Sequence, residues 1–182
     1  AASTTVKSAL SGTGPVRFIN DLGASTSTCT LSGDNSAYTG AMEFYGGNNG
    51  RAIAVSIADE KNLGGNPPVF NAKQVHFATT DNNQGTGNRS QIRPTASFDI
   101  DDSNRGITVD VKGFAFNVGS GISLGVCVPM VLNQAAIKLG AGTLGLGGAV
   151  SGSAKTLTVS EGSVMPRSKE GITSFTTITF AS

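Results

Sequence analysis

Ser97-Phe98-Asp99-Ile100-Asp101-Asp102-Ser103-Asn104-Arg105-Gly106-Ile107-Thr108-Val109-Asp110-Val111 alternates apolar and polar residues on both sides of a turn cluster. A period of two marks a half-buried strand, and Phe98 and Ile100 set against Ile107, Val109 and Val111 predict a β-hairpin. The same alternation recurs in Arg51-Ala-Ile-Ala-Val-Ser-Ile57, Lys73-Gln-Val-His-Phe77 and Lys155-Thr-Leu-Thr-Val159. Between these runs lie Gly46-Gly-Asn-Asn-Gly50, Gly64-Gly-Asn-Pro-Pro68 and Asp81-Asn-Asn-Gln-Gly-Thr-Gly-Asn88, whose residues supply positive φ or cap their own backbone.

Short strands joined by turns predict an all-β chain, an immunoglobulin-like or jelly-roll β-sandwich with Greek-key connections. Helix is expected only as a turn or two within Ser56–Asn62, and Val131–Leu139 reads as a short helix or a strand. No internal repeat of 20 to 50 residues is visible in this reading, which disfavours a solenoid. The Gly-rich stretch Gly140–Gly152 is weakly specified in register unless something packs onto it. The expected organisation is an N-terminal extension over residues 1–18 and one sandwich domain over 19–182, closed by the β-branched and aromatic run Gly171-Ile-Thr-Ser-Phe-Thr-Thr-Ile-Thr-Phe180.

Composition narrows the function. The chain has 182 residues, 13 Lys+Arg against 12 Asp+Glu, and only 14% charged residues. A net charge of +1 without a basic run disfavours nucleic acid and anionic lipid as partners. No apolar run is long enough to cross a bilayer as a helix. The opening Ala1-Ala-Ser-Thr4 reads as a secreted chain after signal-peptide removal. Cys29 and Cys127 then read either as one disulfide closing a long loop, the preferred alternative, or as two buried thiols.

Catalytic signals are thin. Gly140-Ala-Gly-Thr-Leu-Gly145, with Glu161 about 20 residues on, matches a dinucleotide fingerprint, yet the residues after it are too Gly-rich for the helix that must hold a pyrophosphate. Asp99, Asp101, Ser103 and Asp110 have calcium-loop spacing, but Asn104 replaces the turn glycine and the hairpin already explains them. His76 is the single histidine and reads as structural, with no nucleophile elbow beside it. Glu43, Asp59, Glu60, Glu161 and Glu170 form a pool for a glycosidic carboxylate pair, without Trp and with only Tyr38 and Tyr45 as aromatic platforms for sugar. Asn88-Arg-Ser90 is a glycosylation sequon. The chain is therefore expected to be non-catalytic, with no cofactor and no metal.

On one face of the first 18 residues lie Thr4, Val6, Ser8, Leu10, Gly12, Gly14, Val16 and Phe18, a track suited to β-augmentation of a neighbour. This opening, followed by Cys29 and closed by Phe175-Thr-Thr-Ile-Thr-Phe180, resembles the mature subunits of chaperone–usher fimbriae. The resemblance implies a structural subunit of a cell-surface filament that polymerises by donating its N-terminal strand to another copy of itself. Ile172, Phe175, Ile178 and Phe180 would then form the acceptor strand in the core, and the implied partners include an assembly chaperone and an outer-membrane assembly protein. A viral jelly-roll coat protein and a secreted adhesive domain are the alternatives.

Overall fold

The computed structural model describes residues 3–20, 26–46, 51–79 and 88–181. Its eighteen strands are β1 (Ser3–Val6), β2 (Val16–Asn20), β3 (Thr26–Leu31), β4 (Met42–Gly46), β5 (Ala52–Ile57), β6 (Asn71–Thr79), β7 (Gln91–Pro94), β8 (Phe98–Ile100), β9 (Arg105–Val109), β10 (Phe114–Asn117), β11 (Ser123–Val126), β12 (Met130–Leu132), β13 (Ala136–Leu139), β14 (Thr143–Leu146), β15 (Val150–Ser151), β16 (Thr156–Val159), β17 (Ser163–Pro166) and β18 (Thr177–Phe180). Among the described residues, helix is confined to a 3-10 turn at Glu60–Leu63 and the five-residue α1, Lys169–Thr173.

Among the described residues every strand pairing is parallel, in three sheets of eight, six and four strands. Successive strands go to different sheets and each pairs with its counterpart one circuit later, so the chain winds as a parallel β-solenoid. Its coils run β1-β2, β3-β4, β5-β6, β7-β8-β9, β10-β11-β12, β13-β14-β15 and β16-β17-α1, and β18 opens the next. Parallel strands cannot come from tight hairpins, because each must wait for a crossover to bring the chain back in the same sense. Here that crossover is the remainder of the coil.

This overturns the immunoglobulin-like or jelly-roll sandwich and its Greek-key connections, all of which need antiparallel pairs. The Ser97–Val111 stretch is the instructive failure. β8 pairs with β11, Phe98 against Leu124, while β9 lies in another sheet between β6 and β12. Asp102–Arg105 is thus a corner of the solenoid and no hairpin turn, although both need the same turn residues. Val131–Leu139 holds β12 and β13 rather than a helix, and the turn expected in Ser56–Asn62 begins later, at Glu60.

Across the boundary expected at residue 18, β1 and β2, with a bridge from Gly12 to Tyr38 between them, form the first coil. The solenoid repeat is real but regular only late. Strands β11, β14 and β17 follow at 20-residue intervals, as Ser123↔Thr143 and Thr143↔Ser163 show. Earlier coils carry corner insertions that stretch the interval to 37 between Ala54 and Gln91. The turn clusters predicted at 47–50 and over most of Asp81–Asn88 lie outside the described residues.

Inward positions of all three sheets fill one continuous core. On the six-stranded sheet, register places Phe18, Phe44 and Phe77 one above another, with ring centroids 5.1 and 5.2 Å apart. Phe114 of the eight-stranded sheet closes on Phe77 at 4.7 Å. Such offset and tilted pairs add to what burial alone contributes. At the corner leading into the four-stranded sheet, Gly121, Gly140 and Gly162 take φ of 74°, 76° and 73° in successive coils, a left-handed turn that glycine makes without strain.

Candidate functional site

Asp59, Glu60, Lys61, Asp101, Asp102 and Arg105 come together where the coils turn into the six-stranded sheet. Arg105 stands at an inward position of β9, two residues before Ile107, and is fully buried. Its guanidinium donates to the carbonyls of Leu63 (2.8 Å) and Gly64 (2.9 Å), which end the 3-10 turn, and to Asp102 Oδ2 (2.5 Å). Its Nε lies 3.1 Å from Glu60 Oε1, and the same oxygen accepts the backbone amides of Asp101 (2.9 Å) and Asp102 (3.0 Å). Asp59 caps the turn by accepting from Lys61 N at 3.1 Å. Beside this knot opens a cleft of about 310 Å³, lined by Ser36, Asp59, Glu60, Lys61, Asn66 and Asp102 together with Gly64 and Gly65. Burial pushes the Glu60 carboxyl up to about 7, outweighing the backbone amide of Asp102 and the Arg105 charge that favour its anion.

A carboxyl with that proton affinity beside a cleft has the look of a general acid. Its Oε1, however, accepts both corner amides beside the buried Arg105 guanidinium, and so ties the 3-10 turn to the 101–105 corner. The other carboxylates of the pool are dispersed in the same way. Glu43 is held by Arg17 Nε at 2.5 Å, Glu161 accepts from Gly140 N at 3.1 Å, and Glu170 lies on α1. Only Asp59 and Glu60 share a cleft, and both serve backbone groups.

His76 faces outward on β6, opposite Glu43 and Thr108 in the flanking strands, yet is only 6% exposed. Its Nε2 stands 2.8 Å from Asp110 Oδ2, while Asn133 Nδ2 donates to Asp110 Oδ1 at 2.7 Å. Partial burial pushes Asp110 up, but these two hydrogen bonds outweigh it and hold the carboxyl below its usual value. No hydroxyl or thiol bonds His76 Nδ1 among the described residues, so no nucleophile completes a triad there. The calcium-loop residues are drawn apart as well, Asp99 toward Arg167 at 3.3 Å and Asp110 toward His76.

The remaining predicted positions are redistributed by the coiling. Thr4 and Val6 lie on β1, against Cys29 and Leu31, and Val16 and Phe18 on β2, against Met42 and Phe44. Ser8, Leu10, Gly12 and Gly14 belong to the connection between them; Leu10 N donates to Asn35 Oδ1 at 2.8 Å. The track of eight thus spans two sheets and is not one donor strand. Ile172 sits on α1, Phe175 is buried just after it, and Ile178 and Phe180 belong to β18, so a single acceptor strand over Ile172–Phe180 does not exist.

The cysteines are both free. Cys29 is on β3, and Cys127 follows β11, in the coil that β10 begins. Strands β5, β7 and β10 succeed β3 in one sheet, so at least three strand spacings, about 14 Å, separate the two, twice what a disulfide spans. Lys138 was missed by sequence reading: it faces inward from β13, fully buried, and donates to the carbonyls of Leu139 (2.8 Å), Gly140 (2.5 Å) and Glu161 (3.1 Å). The signal for Arg105 was its parity with Ile107 and Val109; Lys138 gave none, because Ile137 and Leu139 on its strand have the opposite parity.

Comparison with protein-family models, curated proteins and solved structures finds no match to this chain.

Proposed function

We propose that this chain is a non-catalytic structural subunit of an extracellular filament, joined to further copies along the solenoid axis through its N-terminal coil. The observation that carries this reading is the parallel stacking of all three sheets along one axis. A translation along that axis adds a coil in the same strand sense, which is the geometry of a heterologous contact that propagates without closing. The neutral hydroxyl- and amide-rich composition suits packed repeats, and the charged side chains of the cleft are engaged in holding corners.

The test is sedimentation velocity with negative-stain electron microscopy over a rising concentration series. Fibres of uniform width, growing with concentration, are expected. A monodisperse monomer throughout would remove the filament reading and favour a free-standing adhesive domain.

A further inference from the structure

The ends of the three sheets are not alike. On the six-stranded sheet the outermost strand β2 carries Arg17, and β15 at the other end is covered by α1, whose C-cap Ser174 accepts from Val150 N at 2.9 Å. On the four-stranded sheet the outermost β17 carries Pro166, which cannot donate to a further strand. Charge, proline and a covering element are the devices by which proteins blunt sheet edges. The eight-stranded sheet has none of them: its outermost strands are Ser3-Thr-Thr-Val6 and Thr177-Ile-Thr-Phe180, both four residues long, uncharged and free of proline.

From this asymmetry, and resting on the filament reading above, we infer that a second copy of this chain docks β1 on the edge of β18 left unpaired among the described residues, so that the eight-stranded sheet alone runs on from copy to copy. The side-chain rows select the register. Within one copy Thr156↔Thr177 and Thr158↔Thr179 face outward, while Leu157↔Ile178 and Val159↔Phe180 face the core. At the other end Ser3↔Thr28 and Thr5↔Thr30 face outward, and Thr4↔Cys29 and Val6↔Leu31 face the core.

Setting Thr177 on Ser3 and Phe180 on Val6 of the next copy gives outward rows Thr156-Thr177-Ser3-Thr28 and Thr158-Thr179-Thr5-Thr30, hydroxyl throughout. Of the two inward rows, Val159-Phe180-Val6-Leu31 is apolar throughout and Leu157-Ile178-Thr4-Cys29 is apolar except for Thr4. Cross-strand hydroxyl and apolar neighbours of this kind stabilise a ladder. Phe180, 67% exposed although its row points to the core, gains the cover it lacks. A shift by one residue in either direction would lay an outward position of one copy against an inward position of the other, setting Thr5 against Ile178 or Phe180 and breaking the apolar row.

Thr5→Cys and Thr179→Cys, both at exposed outward positions, are made separately in the full chain and mixed under mild oxidation, with wild type as the control for Cys29 and Cys127. The mixture is expected to give covalent dimer several-fold above either variant alone, and Thr179→Lys to suppress fibres while its circular dichroism stays that of wild type. If the variants form fibres but the mixture cross-links no better than each alone, this interface is wrong and the filament reading stands. If wild type remains monomeric at every concentration, both fall.

Discussion

Arg167 and Asp99, 68 residues apart, meet on the outer face of the four-stranded sheet with Nη2 3.3 Å from Oδ1, and they lie on a floor of glycine. A Cβ at Gly145 would stand 2.7 Å from Arg167 Nε, and one at Gly125 would collide with the Asp99 carboxylate. The Gly-rich segment is therefore not unsupported, because the clamp packs onto the positions where side chains are missing. The pair is about one-third exposed and contributes at most about 1 kcal/mol.

The glycines should consequently divide into two groups on substitution. Gly125→Ala meets a side chain that can swing away, and is expected to cost about 1 kcal/mol and release the clamp. Gly148→Ala instead drives a methyl into the backbone carbonyl of Val128, which cannot move without unpicking a coil, and should cost about 3 kcal/mol. Urea midpoints of the two variants measure the difference; equal losses would contradict the clamp.

The Lys138 ammonium replaces water with three carbonyls at one corner, and burial lowers its proton affinity while Glu161 partly restores it. Lys138→Met keeps the apolar stem but leaves the carbonyls without their donor. A loss of about 2–4 kcal/mol in chemical denaturation is expected.

What the sequence made legible was the strands and their buried faces: the alternation in Arg51–Ile57, Lys73–Phe77, Ile107–Val111 and Lys155–Val159 places strands where β5, β6, β9 and β16 lie. Pairing was not legible. Period two reports which side chains are buried and says nothing about whether the partner is the next strand or one a full coil away. The corner at Asp102–Arg105 uses hairpin residues, and the 20-residue repeat is masked by the insertions holding the 3-10 turn and the cleft. Of the candidate site, Asp59 and Glu60 were in the carboxylate pool. Arg105, which organises them, was read as a turn residue because its burial depends on carbonyls some 40 positions away.

Glu60 gives the fold a pH dependence of definite sign. With its folded value raised to about 7 from 4.5, the native state holds more protons than the unfolded chain inside that window. Stability therefore falls as pH rises from 4.5 to 7 and levels off above. Asp34 and Asp110, both lowered from 3.8, act only in more acid solution. Wild type should lose about 1–3 kcal/mol between pH 5 and 7.5 relative to Glu60→Gln. Parallel urea titrations of the two proteins check it.

The thiols should be inert in the native state. Burial pushes Cys29 up to about 11 and also raises Cys127, so neither supplies thiolate at neutral pH. A chromogenic disulfide reagent should react slowly with native protein and titrate both thiols promptly in denaturant. Absence of free thiol after denaturation without reductant would reinstate a bridge.

Because each coil contacts mainly its neighbours, stability should be divisible by coils. Residues 142–161 make one whole circuit, and their removal joins Ala141 to Gly162 at a position equivalent to Gly142, so β17 falls onto β11 in the register β14 now holds. β18 likewise falls onto β13 in place of β16. The shortened chain should retain a strand-type circular dichroism spectrum and melt cooperatively at a lower midpoint, having lost Leu144, Leu146, Val150, Leu157 and Val159 from the core together with the Glu161 carbonyl that Lys138 uses. Removing residues 132–141 instead deletes half a circuit, puts the following strands on the wrong sheets, and should abolish the transition. A sandwich would tolerate neither deletion, so survival of the whole-coil variant alone is the outcome specific to a solenoid.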